Sequence, residues 1–396
     1  MVVGLLALAA CSDSKPSDHA GGGTGSSSAG SGQGGSSSPG DGGADATSGV
    51  AGKTTNGGSA PKGGTGSGND AGAPGSGEPG VRWLGRVEKT GQGARFAWPG
   101  TGFLVRFQGT GLTAKLKTTA DDDYFQVVVD GKVTLLTTHA GDAVYDLAKG
   151  LTAAEHELTF WRRTETLAGV VEVESIDVVG GALLSPPATS GKRIEVVGDS
   201  ITVGFGVDCG PEDGFSYATE NNYQTYEAVA ARALGAEVVT LAWTGIGMLR
   251  DDDGQEETQM PERYLRTIAT EDASQWSFDA LIPDAVVVAL GTNDFATGDP
   301  GAEYVAVYAK FLDDVRGRYP DARLYLAGSP MIDDGLVQYL TQLKNARSTK
   351  GDSNVAVLDF QPPAGDEGWG CGHPNAATHK VMAATLQQAL KTDLGW

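Results

Sequence analysis

Five short runs of near-continuous apolar residues constrain this chain more than any other feature: RIEVVGDS, AEVVTLAW, PDAVVVALGTND, ARLYLAGSP and NVAVLDF, spread over residues 193–360. A strand that is apolar at successive positions is buried on both faces, the pattern of a parallel sheet covered by helices. The stretches between the runs are helix-like; YQTYEAVAARALG ends on Gly235, a residue suited to a left-handed cap. Strand–helix alternation over residues 192–396 therefore predicts a three-layer α/β/α domain with a five-stranded parallel sheet. Ligands of such sheets bind at the carboxyl ends of the strands. GDS, WTG and GTND stand at those ends and GWGCGHPN in the last loop, so the fold would bring these four segments together.

Residues 81–184 follow a different period. GFLVRFQG places Phe103, Val105 and Phe107 on one face, and GLTAKLKT does the same with Leu112, Ala114 and Leu116. YFQVVVDGKVTLLTT adds a hairpin with Asp130-Gly131 at its turn. HELTFWRRTE and AGVVEVESIDVVGG supply further strands, and no long helical period interrupts them, so a β-sandwich is expected here. LSPPATSG, residues 184–191, reads as the linker to the α/β domain.

Ahead of both lies a stretch, residues 12–80, of Gly, Ser, Ala, Thr and Pro with almost no large apolar side chain. It cannot bury enough surface to offset the entropy of ordering, and reads as a flexible tether. Residues 1–11, MVVGLLALAAC, are too short and end in residues too small for a spanning helix. Leu8-Ala9-Ala10-Cys11 resembles the lipobox of bacterial lipoproteins, which implies cleavage before Cys11, lipidation of its thiol, and a place in the cell envelope or at the cell surface. No Lys or Arg precedes the apolar run, which leaves room for a start upstream of Met1. With Cys11 lipidated, Cys209 and Cys371 can pair only with each other, the alternative being two separate buried thiols. The net charge of −21 and the lack of a basic cluster exclude a nucleic-acid partner.

The candidate chemistry lies in the loops. Ser200 directly follows a buried strand and an aspartate, a place suited equally to a nucleophile and to the start of a capped helix. It lacks the Gly-x-Ser-x-Gly elbow. Acyl transfer needs donors aimed at the developing oxyanion, which the N–H of Gly245 and the side-chain amide of Asn293 can supply. His373 in HPN is the candidate base; His379, six residues on in the helix-like NAATHKVMAATLQQAL, is expected to be structural or exposed. Trp369, expected to be exposed in a glycine-rich loop beside His373, suits stacking on a sugar ring or ordinary packing. No His/Cys/Asp cluster has zinc spacing.

Together, GDS with Ser200, the glycine at 245, GTND with Asn293 and HPN with His373 resemble the SGNH or GDSL hydrolase superfamily, over about residues 192–396. FAWPGTGFLVRFQGTGL and a β domain ahead of such a domain resemble carbohydrate esterase family two. The resemblance implies a serine esterase that removes O-acetyl groups from plant cell-wall polysaccharides such as xylan or glucomannan, without metal or cofactor. It is expected to act as a monomer, meeting a membrane only through its lipid anchor. Ser200 would be the nucleophile and His373 the base, with the N–H groups of Ser200 and Gly245 and the Asn293 amide as oxyanion hole.

One departure matters. Most SGNH enzymes carry Asp three residues before the histidine, where this chain has Gly370. A fixed backbone carbonyl can hold the histidine Nδ1–H instead, so a Ser-His dyad is expected; Asp359, Asp366 and Glu367 are the alternative acids. Two other functions compete: a catalytically weak, polysaccharide-binding surface lipoprotein, and a lipase or thioesterase of the same superfamily.

Overall fold

The computed structural model describes residues 80–396, apart from 211, 212, 333 and 364. Cys11 and the Gly/Ser-rich stretch up to residue 79 lie outside the described residues.

The first domain is a sandwich of two antiparallel sheets. Its strands are β1 (Arg82–Leu84), β2 (Glu88–Thr90), β3 (Gly93–Phe96), β4 (Gly102–Gly109), β5 (Gly111–Thr118), β6 (Asp123–Val129), β7 (Lys132–Thr138), β8 (Gly141–Ala148), β9 (Ala154–Arg162), β10 (Val171–Val179) and β11 (Ala182–Leu184). One sheet runs β1-β4-β9-β6-β7 with β11 on β4; the other runs β2-β3-β10-β5-β8. The alternation read from sequence sets the inner faces: Phe103, Val105 and Phe107 of one sheet meet Leu112, Ala114 and Leu116 of the other in a single core. Asp130 and Gly131 both take positive φ, 50° and 80°, which matches the twist of a two-residue hairpin turn.

The second domain has the expected parallel sheet: β12 (Arg193–Gly198), β13 (Glu237–Ala242), β14 (Ala285–Ala289), β15 (Arg323–Ala327) and β16 (Val355–Leu358), in the order β13-β12-β14-β15-β16. Two short helices, α1 (Ser200–Val203) and α3 (Met260–Arg263), lie in loops. The others are α2 (Tyr226–Leu234), α4 (Gly301–Arg318), α5 (Asp334–Thr349) and α6 (Ala376–Leu394). Successive strand residues serve opposite faces. Val197, Val286 and Val288 pack with Tyr308, Phe311 and Leu340 of α4 and α5. Val196, Ala285 and Val287 pack with Ala228 and Ala231 of α2 and Met382 and Leu386 of α6. Among the described residues no helix is long and apolar enough to cross a membrane.

Buried charges join the domains. Glu195, on β12, is 1% exposed and meets Arg86 of the β domain at 3.1 Å, while the Tyr264 hydroxyl donates to it at 2.7 Å. The Arg86 guanidinium lies over the rings of Tyr264, Trp276 and Phe278. In the same junction Arg163 donates to the backbone carbonyl of Glu220 at 3.0 Å and reaches Asp208 at 2.8 Å. A cavity of about 190 Å³ also lies here, between Trp83, Trp161 and Tyr223, at the amino ends of the parallel strands and away from Ser200.

Candidate active site

Register aligns the loops that carry the site. Gly198 of β12 is level with Ala242 of β13 and Ala289 of β14, so Ser200, Gly245 and Asn293 follow neighbouring strand ends two to four residues on. Ser200 opens α1, a single turn. Asp199 is its N-cap, its Oδ1 accepting from the Ile201 N–H at 3.0 Å. Capping and nucleophile position thus fall on adjacent residues, and Ser200 is left free to point elsewhere. Burial raises the Asp199 carboxyl to about 7, against the lowering effect of the Thr292 hydroxyl.

Ser200 Oγ lies 2.8 Å from Nε2 of His373. His373 stands in β18 (His373–Pro374), which pairs with β17 (Trp369–Gly370). The glycine-rich loop expected here is therefore a hairpin. Its two turn residues, Cys371 and Gly372, both have positive φ, 51° and 75°, as a tight two-residue turn requires. Trp369 is correspondingly half-buried, opposite Pro374, rather than exposed. The other nitrogen of His373, Nδ1, faces the carbonyl oxygen of Cys371 at 3.4 Å. Burial lowers the His373 pKa to about 4, with the Cys371 carbonyl opposing, so the ring is neutral at pH 7 and Nε2 is free to accept the serine proton.

None of the three alternative acids reaches the ring. Asp359 is exposed and accepts from Gln361 at 2.5 Å, and Asp366 and Glu367 are exposed. Cys371 is tied to Cys209 by a disulfide with Cα atoms 5.8 Å apart, which fastens the histidine hairpin to the loop after α1. His379 is a core residue: it is fully buried, its Nδ1 accepts from the Tyr226 N–H at 3.1 Å, and burial lowers its pKa to about 3.

The candidate oxyanion donors are held separately. Gly245 has φ +80°, a conformation that favours glycine, and a Cβ there would crowd Asp252 Oδ1 at 3.0 Å. Among the described residues neither the Ser200 nor the Gly245 N–H has a backbone acceptor. Asn293 Nδ2 donates one bond to the Ile246 carbonyl at 2.7 Å, which aims the amide and leaves a second N–H.

Residues not singled out in sequence complete the site. Asp294, next to Asn293, accepts from the N–H groups of Met248 and Leu249 at 2.9 and 2.7 Å and of Arg250 at 3.0 Å. It thereby locks the GTND loop to the loop of Gly245. Phe205 lies against the His373 ring with centroids 4.4 Å apart, and Phe215 stacks on Phe205 at 3.7 Å. A phenylalanine reads in sequence as core, yet Phe215 is 37% exposed, one ring removed from His373 across Phe205. No group of three or more His, Cys, Asp or Glu suited to a metal occurs among the described residues.

Comparison with known proteins places both domains. Residues 83–187 match the family described as carbohydrate esterase 2 N-terminal, and residues 196–381 match the GDSL-like lipase/acylhydrolase family. The chain is 33% identical over 327 residues to the cellulase/esterase CelE of Acetivibrio thermocellus, covering 80% of this chain and 40% of that protein. It is 25% identical to an acetylxylan esterase/glucomannan deacetylase of Cellvibrio japonicus, covering 81% of this chain and 90% of that one. A solved family two carbohydrate esterase from Clostridium thermocellum, in complex with cellohexaose, superposes with a TM-score of 0.77 at 33% identity, covering 80% of this chain and all of that one. One from Cellvibrio japonicus gives 0.75 at 26% identity, covering 81% and 97% of the two chains. The β-sandwich, the parallel sheet and the loops at its carboxyl end are thus matched along the whole of a solved relative, and the chain belongs to the family two carbohydrate esterases.

Proposed function

We propose that this chain is a serine esterase that removes O-acetyl groups from cell-wall polysaccharides of the xylan or glucomannan type through an acetyl-enzyme on Ser200. The observation that carries the reading is the 2.8 Å contact between Ser200 Oγ and a His373 held neutral by burial. The names of the Cellvibrio japonicus relatives support the substrate class.

In this mechanism Ser200 Oγ attacks the acetyl carbonyl carbon while its proton passes to His373 Nε2. The resulting imidazolium is held through Nδ1–H by the Cys371 carbonyl. The N–H groups of Ser200 and Gly245 and the Asn293 amide meet the oxyanion, each such donor contributing about 2.7–4 kcal/mol. Collapse breaks the bond to the sugar oxygen, which takes the proton from His373. A water molecule, deprotonated by His373, then attacks the acetyl group and releases acetate. Half-buried Trp369, in the histidine hairpin, and exposed Phe215, stacked on Phe205, would offer the sugar aromatic surface on which a pyranose ring can pack.

Export and lipid anchoring at Cys11 are part of the same reading; the Cys209–Cys371 disulfide supports them, because such bonds persist in oxidising compartments. The deciding experiment is acetate release from acetylated xylan and glucomannan by the wild type, Ser200→Ala and His373→Ala. Release by the wild type and its loss in both variants is expected. Binding of glycan without release of acetate would leave the polysaccharide-binding reading instead.

A further inference from the structure

The β domain enters the active-site region through residues 162–166, which begin at the last residue of β9 and carry five consecutive buried polar side chains. Arg162 pairs with Asp123 at 2.9 Å, Arg163 holds the Glu220 carbonyl, Thr164 donates to Asp123, and Thr166 donates to the Ala97 carbonyl at 3.2 Å. The bonds of Arg162, Thr164 and Thr166 stay within the β domain, and Arg163 crosses to the Glu220 carbonyl and Asp208, remote in sequence from the candidate oxyanion loop. Glu165 is different. Its own N–H donates to the Glu220 carboxylate, and its side chain, 1% exposed, turns to the second domain, where Oε2 accepts from the Thr244 N–H at 2.9 Å.

Thr244 immediately precedes Gly245 in a segment that belongs to no strand or helix. The Gly245 side of that segment is fixed by Asp252, whose N–H donates to the Gly245 carbonyl at 3.1 Å, and by Gln259, which accepts from the Gly247 N–H at 2.9 Å. On the other side, the Thr244 N–H finds its acceptor in Glu165. Gly245, at φ +80°, has no side chain to lock its peptide planes, so their direction is set by such flanking bonds.

We propose that Glu165 is a positioning residue for the oxyanion hole: by holding the Thr244 N–H from the β domain, it sets the direction of the Gly245 N–H. The proposal rests on the esterase reading above. It gives the sandwich a part in the chemistry, because the donor would be aimed by a residue 79 positions earlier in another domain. It also accounts for a carboxyl kept in so costly a place. Burial raises Glu165 to about 7, and the groups facing it are Thr244, the guanidinium of Arg162, the carboxyl of Glu220, itself raised by burial, and Tyr217.

The test compares wild type, Ser200→Ala, Glu165→Ala, Glu165→Met and Glu165→Gln in hydrolysis of an aryl acetate. Inhibition by phenylboronic acid, whose tetrahedral adduct on a serine oxygen occupies the oxyanion position, is measured alongside. Glu165→Ala and the near-isosteric Glu165→Met should lose about ten- to a hundredfold in kcat with little change in KM, and bind the boronate more weakly by a similar factor. Glu165→Gln, which keeps an acceptor for Thr244, should stay within about threefold of wild type on both counts. If Glu165→Ala does not fold, the Met and Gln pair decides. The inference is overturned if Glu165→Met matches wild type, or if Glu165→Gln is as poor as Glu165→Met. Equal rates for wild type and Ser200→Ala would instead overturn the esterase reading itself.

Discussion

Position 370 lies against the backbone of Gly206: a Cβ there would sit 2.7 Å from the Gly206 carbonyl oxygen and 2.8 Å from that of Cys209. The place where related hydrolases carry the acid is therefore occupied by main chain, and the Cys371 carbonyl faces His373 Nδ1 in its stead. Gly370→Asp should not restore a triad. It should push the histidine hairpin off the loop after α1, lowering kcat by about tenfold or more through displacement of His373 and lowering the melting temperature as well. Acetate release and thermal melting check this; a Gly370→Asp enzyme as fast as wild type would show that the hairpin has room for a carboxylate.

In the proposed mechanism the state of His373 sets the acid limb of the rate profile. Its pKa is lowered from 6.5 to about 4, and only the neutral ring can take the serine proton. For the free enzyme, kcat/KM should therefore hold steady as pH falls from 7 through 6.5 and decline only as it approaches about 4. The same shift bears on folding with a definite sign. A histidine depressed in the folded chain contributes stability that is full above 6.5 and lost as pH falls toward about 4, and His379, lowered to about 3, acts in the same sense. Asp199 and Glu227, raised to about 7 and about 8, act oppositely, so the initial rate in a short assay is the clean readout. An inflection near 6.5 would contradict burial as the controlling effect.

These features differ in how plainly the sequence announces them. The parallel sheet was legible because its strands are apolar at successive positions, and the hairpin at Asp130-Gly131 because few other residue pairs accept two positive φ values. Ser200, Gly245, Asn293 and His373 were legible as short ordered blocks. Glu165 was not: in HELTFWRRTE a period of two reads the charged end as the solvated tip of a strand, and only the second domain packing over it makes those side chains buried. The stack of Phe205 and Phe215 was hidden for a related reason, since an aromatic residue in a loop gives no local sign of which neighbour it will meet. The hairpin at Cys371 was hidden because a non-glycine residue at φ 51° is uncommon and no turn signal marks it.

The domain junction should respond to loss of one charge. Arg86 and Glu195 are both buried and face each other at 3.1 Å across the two domains. Removing either partner leaves the other uncompensated, so Arg86→Met and Glu195→Leu should each cost about 3–5 kcal/mol. The double variant should recover much of that loss, because two apolar side chains of similar size leave no buried charge behind. Urea unfolding of the four proteins checks this; additive losses in the double variant would show that the two groups are stabilised independently.

The disulfide should matter to the rate beyond its effect on stability. It joins Cys209 to Cys371 across 162 residues, and Cys371 supplies both the strained turn, at φ 51°, and the carbonyl that faces His373. Opening it should cost about 2–5 kcal/mol of stability. If that were all, an enzyme still folded at the assay temperature would keep its kcat. The geometry argues for more: without the bridge, the residue at 371 is free to leave the left-handed region, and its carbonyl then no longer faces Nδ1. In Cys209→Ser/Cys371→Ser, assayed well below its melting point, kcat should fall by about tenfold or more with KM little changed. Cys371→Gly in a Cys209→Ser background should regain part of the loss, since glycine takes positive φ without strain. A folded double serine variant with wild-type kcat would show that the hairpin holds His373 by itself.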